Sequence, residues 1–304
     1  MANGADTSLV TITVRDTQNQ PAPNGTIVRL TAGEKFDDID GDGYFTPNVD
    51  SVIFDSNPNG QWDQIGYIPA TTSVVGGAGV ASTNYISGSS ALNVYIRATV
   101  NDSGITGFGE TTLQLSPDAT VSSIYLNSDQ VHLSVQSTGG NETGYIHATC
   151  YDSKGNRIPE GIPVTFIIMD GPGGGEELEN VGYGPYSTIT NNQGIASASI
   201  HSGTVSGTVR IRATSGTVLS NTTQVLISAG PPAYIVVGAA ECNVPYWNNV
   251  GEFVDVVAVV SDIYLNPVND STVVYFSTDE GTMKSFEEIT QNLEGIATSS
   301  WISG

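Results

Sequence analysis

The chain repeats itself three times, and that repeat limits the fold more than any other feature. "GVASTNYISG" (79–88), "GIASASIHSG" (194–203) and "GIATSSWISG" (295–304) share one frame. Each reads Gly, Val or Ile, Ala, Ser or Thr, four variable residues, then Ser-Gly. A second block lies upstream of each: "VRDTQNQPAPNGTIVRL" (14–30), "CYDSKGNRIPEGIPVTF" (150–166) and "VSDIYLNPVNDSTVVYF" (260–276). From Asp16, Asp152 and Asp262 an apolar pair follows at constant offset: Val28 and Leu30, Val164 and Phe166, Val274 and Phe276. Three copies agreeing at two separate blocks are hard to obtain by chance.

The blocks have a physical reading. "LVTITV", "GYIHATC" and "FVDVVAVV" alternate or run apolar into an Asp-containing turn, so each predicts a strand feeding a turn. The apolar pair, two residues apart, puts both side chains on one face of the next strand. The Gly-Val-Ala block opens a further strand. In the second copy "VSSIYLN", "VHLSVQS", "SGTVRIRATSGT" and "TTQVLISAG" supply more strands. The unit then has about seven short strands in roughly 100 residues, the size of a β-sandwich. Abundant Gly (35 of 304 residues), Thr, Ser and Val, with no sustained helical period, agree with an all-β chain.

This pattern resembles the bacterial immunoglobulin-like domains of the invasin and intimin type (Big-1-like). "YDSKGNRIPEGIPVTF" with "NNQGIASASI" is the copy nearest to that family, and "SDIYLNPVND" departs from its Gly-Asn turn. The resemblance implies tandem immunoglobulin-like β-sandwiches in an extended rod. It also implies a non-enzymatic, extracellular or cell-surface stalk, adhesin or fibre of bacterial origin. The expected domains are 1–117, lacking a leading strand; 118–230, complete; and 231–304, lacking the final strands. The chain is therefore expected to be a segment of a longer polypeptide, or else to take its missing strands from a neighbour by donor-strand complementation. The partners implied are neighbouring repeats of the same or an adjacent chain, and a host or surface glycan or protein ligand.

Charge narrows the partners further. Nine Lys and Arg stand against 31 Asp and Glu, a formal charge of -22. Nucleic acid and anionic membranes are poor partners for such a surface. No apolar run is long enough to span a bilayer, and "MANGADTSLV" has neither the basic nor the apolar region of a signal peptide.

"DDIDGDGYFTPNVDSVIFDSNPNGQWD" (37–63) falls between the Val28–Leu30 strand and the Gly79 block. Turn Asp and block Gly are 63 residues apart in the first copy, 42 in the second and 33 in the third, so the stretch is mostly an insertion. It is also duplicated: Asp38, Asp40, Asp42, Gly43 and Phe45 recur as Asp55, Asn57, Asn59, Gly60 and Trp62. Oxygen ligands at alternate positions followed by Gly are what a calcium loop needs. The backbone carbonyls of Tyr44 and Gln61 stand at the seventh position of each loop. Position twelve is Val49 or Gly66 rather than an acid, so neither loop is an EF-hand. The stretch instead resembles tandem Asp-x-Asn-x-Asn-Gly-x-aromatic-Asp calcium loops of secreted bacterial proteins. Two Ca²⁺ sites are expected: Asp38, Asp40, Asp42 and Tyr44 with help from Asp50, and a weaker one at Asp55, Asn57, Asn59, Gln61 and Asp63. Phe45 and Trp62 should anchor the two turns.

Other chemistry is weakly signalled. A glycosidase carboxylate pair would need a pocket signature that the stretch lacks. His132, His147 and His201 fall on separate strands with no triad order, and no His or Cys cluster has zinc spacing. Cys150 aligns with Val14 and Val260, which predicts a buried free thiol rather than a disulfide with Cys242. Sequons at Asn24, Asn101, Asn141, Asn221 and Asn269 are weak signals in so Asn- and Thr-rich a chain. Trp62, Tyr183, Tyr186 and Trp247 could stack on sugars. That would suit the competing role, an accessory or carbohydrate-binding module of a larger secreted enzyme.

Overall fold

A computed structural model describes residues 1–102, 104–244 and 249–304, and every regular element among them is a strand. None is a helix able to cross a membrane. The chain packs into two compact units. The first comprises Met1–Ser123, Cys150–Ile162 and Asn191–Gly194; the second comprises Ile124–Thr149, Pro163–Thr190 and Ile195–Gly304.

The first unit carries β1 (Thr7–Thr13), β2 (Ile27–Gly33), β3 (Lys35–Asp37), β4 (Ser51–Phe54), β5 (Thr71–Ser73), β6 (Val80–Ile86), β7 (Asn93–Asp102) and β8 (Ile105–Gln114). Strands β1 and β6 pair antiparallel, and β5-β2-β7-β8 form a four-stranded sheet. Strands β3 and β4 make a separate two-stranded ribbon. The core gathers Val28, Leu30, Val74, Ala81, Tyr85 and Val94. Tyr85 is its bulkiest member, and its hydroxyl donates to Ile65 O at 3.0 Å.

The chain continues through β9 (Ser123–Ser128), β10 (His132–Ser134), β11 (Thr143–Tyr151), β12 (Pro163–Asp170), β13 (Glu177–Leu178), β14 (Tyr186–Ile189), β15 (Ile195–His201), β16 (Gly207–Ser215), β17 (Val218–Leu219) and β18 (Thr223–Ser228). Strands β13-β15-β11-β9 form one sheet; β10-β18-β16-β12-β14, with β17 beside β16, form another. Then come β19 (Tyr234–Ala239), β20 (Phe253–Ser261), β21 (Val273–Tyr275), β22 (Thr282–Met283), β23 (Glu287–Ile289) and β24 (Ile296–Ile302). Here β19-β20-β24-β22 form a sheet and β21-β23 a short pair.

The repeat motifs have one local geometry. All three apolar pairs are buried. The block glycines Gly79, Gly194 and Gly295 sit at φ 71°, 69° and 65°, and a Cβ there would run into the backbone of Val14, Ile158 and Val260. Only glycine meets both demands cheaply. Asp16, Asp152 and Asp262 each accept, on Oδ1, the amides two and four residues on, at 2.8–2.9 Å. Each also donates its own amide to the carbonyl four residues on at 2.9 Å. The third copy keeps this turn although it lacks the glycine: Leu265 stands in the left-handed region at φ 68°, where Gly155 has φ 83°. Both cysteines are free thiols, Cys150 buried and Cys242 exposed. Burial pushes the Cys150 thiol up to about 11.

Candidate metal centre

The ribbon β3–β4 presents both acidic loops. Residues 38–50 connect its strands, and residues 55–63 follow β4. Phe36, mid-β3, is buried and packs edge-on against Phe45 of the first loop and Trp62 of the second, each ring centroid 5.7 Å away. Phe45 and Trp62 stack on one another at 6.2 Å. Both aromatic anchors thus share one small core, which suits their amphipathic turns.

In the first loop, oxygens of Asp38, Asp40 and Asp42 all lie within 4.8 Å of one another. The Asp38 side chain is fully shielded from solvent. Its Oδ2 accepts Arg97 Nη2 at 2.9 Å and Gly43 N at 3.1 Å, while its buried Oδ1 has no hydrogen-bond partner. Arg97 also holds Glu110 at 3.0 Å and lies 4.0 Å over the Phe108 ring. Asp42 N reaches Asp40 Oδ1 at 3.2 Å, and Tyr44 N reaches Asp42 Oδ1 at 2.8 Å. Asp50 stands outside the three-carboxylate group. Its two oxygens accept Ile39 N at 2.8 Å and Thr46 N at 2.6 Å, which closes the loop. The Tyr44 ring lies 5.6 Å beneath Arg29, whose Nη1 donates to Asp42 O at 2.6 Å.

The second loop is wound the same way. Asp55 accepts the amides of Asn57, Asn59 and Gly60 at 3.2, 3.3 and 2.7 Å. The carboxamides of Asn57 and Asn59 both donate to Asp63 Oδ2, at 2.7 and 2.8 Å. Gln61 N reaches Asn59 Oδ1 at 2.7 Å. Half a turn of the Asn57 carboxamide would present its Oδ1 beside Asp63 Oδ2, whereas the Asn59 carboxamide is held in place by Gln61 N on its Oδ1.

Two residues escaped the sequence reading. Glu34, nearly fully buried, accepts Ser56 N, Ser56 Oγ and Asp63 N at 2.5, 2.6 and 3.1 Å, bracing both ends of the second loop. Its carbonyl accepts Trp62 Nε1 at 2.6 Å. Arg97 is the other, the counter-charge to Asp38. Neither belongs to the alternating acidic ladder, and Arg97 lies 59 positions from its partner.

The remaining candidates are dispersed. His132 stands in β10, His147 in β11 and His201 in β15; His147 bonds the Ser197 hydroxyl at 2.8 Å and His201 that of Thr143 at 3.0 Å. Trp62 is half-buried in the aromatic trio, Tyr183 donates to Glu176, Tyr186 lies in β14, and Trp247 falls outside the described residues.

No protein-family model matches the chain, and no curated protein matches it either. Solved structures do. FdeC, an adhesin of Escherichia coli, is 14% identical over 99% of this chain and 84% of its own, with TM-score 0.53. InvD of Yersinia pseudotuberculosis is 18% identical over 86% and 67%, with TM-score 0.47. The adhesin InvE of the same organism is 16% identical over 79% and 62%, with TM-score 0.32. The likeness to FdeC agrees with the sheets described above: this is an all-β chain of tandem immunoglobulin-like β-sandwiches.

Proposed function

We propose that the chain is part of a non-enzymatic bacterial surface protein, an adhesive stalk or fibre whose first repeat is ordered by two calcium ions. The three-copy motif supports division into repeats at 1–117, 118–230 and 231–304. The excess of acid suits a repulsive, soluble exterior, and FdeC, the adhesin that shares the fold, supports the surface role. Neighbouring repeats are the first partners, and a surface glycan or protein is the class of ligand an adhesive tip would take.

One observation carries the calcium reading. Asp38 Oδ1 is buried and unpartnered, and the Asp38 carboxylate brings an oxygen within 4.8 Å of oxygens of Asp40 and Asp42. A buried carboxylate oxygen without a donor is costly, and a hard cation satisfies it. Asp38, Asp40 and Asp42 would hold the first ion, with the Tyr44 carbonyl and with help from Asp50, which also closes the loop. Asp55, Asn57, Asn59, the Gln61 carbonyl and Asp63 would hold a second ion, more weakly, because two of those side chains are neutral. Binding then stabilises the folded loops by about 2.7 kcal/mol per site when free calcium is 100-fold above Kd.

The experiment is calorimetric titration of calcium into chelator-treated protein, run beside limited proteolysis of residues 34–66. Binding below millimolar calcium with protection of the loops is expected. No binding, with cleavage indifferent to metal, refutes the calcium reading.

A further inference from the structure

The Asp turn of each repeat does a second job in two of the three copies. Asn156 Oδ1 accepts Ala91 N at 2.8 Å, and Asn156 Nδ2 donates to Ser89 O at 2.8 Å. Asn266 does the same: its Oδ1 accepts Ser206 N at 2.9 Å and its Nδ2 donates to Thr204 O at 2.8 Å. Counted from the Ser-Gly that ends the Gly-Val-Ala block, the carbonyl and the amide gripped are the same in both. The turn carboxylates complete the pattern. Asp152 Oδ2 accepts Asp118 N at 3.2 Å and Asn156 Nδ2 at 3.0 Å. Asp262 Oδ2 accepts Gly230 N and Asn266 Nδ2, both at 2.9 Å. Residues 118 and 230 lie where one repeat passes into the next.

From this duplicated geometry we infer that Asn156 and Asn266 are joint residues, each clipping its repeat onto the backbone of the repeat before it. A carboxamide suits the task because it carries one acceptor and a donor side by side, matching a carbonyl and an amide two residues apart. An aspartate has no donor, and here it would face the turn carboxylate. Only backbone is read, so the gripped loops can differ in sequence, as Ser89-Ser90-Ala91 and Thr204-Val205-Ser206 do. The partner recognised is therefore the Ser-Gly loop of another repeat of this kind. The first repeat has Gln20 at the Asn position, and that amide folds back to Gln18 O at 3.5 Å. The packing agrees, since Cys150–Ile162, the turn bearing Asn156, belongs to the same compact unit as Met1–Ser123. The inference rests on the division into repeats and not on calcium, so joint stiffness should be indifferent to metal.

The test is a distance distribution by pulsed electron resonance between spin labels on either side of the first joint. Thr112→Cys and Asn192→Cys, both exposed, provide the sites in a Cys242→Ser background. A single narrow distance is expected, unchanged by chelator and by Gln20→Ala. Asn156→Asp and Asn156→Ala should broaden it, while circular dichroism stays that of the parent. Ala91→Pro removes the gripped amide from the other side and should broaden it equally, so the inference does not hang on one variant folding. A distribution already broad in the parent, or unmoved by Asn156→Asp and Ala91→Pro, overturns the inference. Broadening by chelator alone would transfer the role to the metal.

Discussion

Asp152 and Asp262 are almost wholly buried carboxylates, yet both titrate below their ordinary value. Burial alone would push each up. The Asn side chain four residues on, with three backbone amides around each carboxylate, outweighs it. A depressed carboxyl adds stability above its unfolded pKa of about 3.9 and loses it as pH falls through the lower folded value. Resistance to urea should therefore fall as the pH drops below about 4. Asp152→Asn should cost about 1.5–3 kcal/mol at neutral pH, the worth of hydrogen bonds to a charged group, and flatten that acid limb. A second residue-scale prediction concerns Leu265, exposed and held at φ 68°. A non-glycine residue there costs roughly 1–2 kcal/mol. Leu265→Gly should raise the unfolding midpoint, offset in part by glycine's freedom in the unfolded chain. An unchanged or lower midpoint would mean that the Leu side chain is held by contacts worth as much.

At the scale of elements, the β3–β4 ribbon depends on one close approach. A Cβ on Gly33 would sit 2.5 Å from the Trp62 ring. Gly33→Ala should therefore expel Trp62 from the aromatic trio. With Trp247 and Trp301 replaced by Phe, its emission should shift to the red and the second loop should become protease-sensitive. Unchanged emission would show that the ribbon yields without undocking. Much of this region was legible beforehand. The alternate carboxylates mark both loops, and Phe45 and Trp62 stand at matching positions in them. Glu34 was not legible, because "TAGEKF" offers no period that turns an acid inward; only the amides of Ser56 and Asp63 explain it. Asp50 was legible by its place after the ladder, but the two loop amides that its oxygens accept were not. The repeat turns read well, since Asp, Gly and the apolar pair each answer a local demand. The clip did not, because Asn156 and Asn266 look like ordinary turn residues until the loops 65 and 62 positions away are brought beside them.

For the molecule as a whole, the repeats differ most in how their sheets are closed. Strand β12 is paired on both sides, by β14 and β16. The corresponding strand of the third copy, β21, pairs with β23 alone among the described residues. Beside it a trough lined by Val237, Val256, Tyr275, Met283 and Trp301 opens into the sandwich, and Val236 and Tyr275 are 68% and 76% exposed. In the second copy that place is taken by β16, which carries Val209, Ile211 and Ala213 inward. An unpaired edge exchanges its amides readily, and an apolar trough favours a strand that can fill it. Hydrogen exchange read by mass spectrometry should find Val273–Tyr275 exchanging far faster than Pro163–Asp170. A peptide of residues 207–228, which forms the corresponding hairpin in the second copy, should slow exchange at β21 and leave β12 unaffected. Equal protection of β12 and β21 without peptide would mean that the third sandwich closes on itself. Fast exchange that the peptide leaves unchanged would mean that the trough does not accept strands of the repeat's own kind.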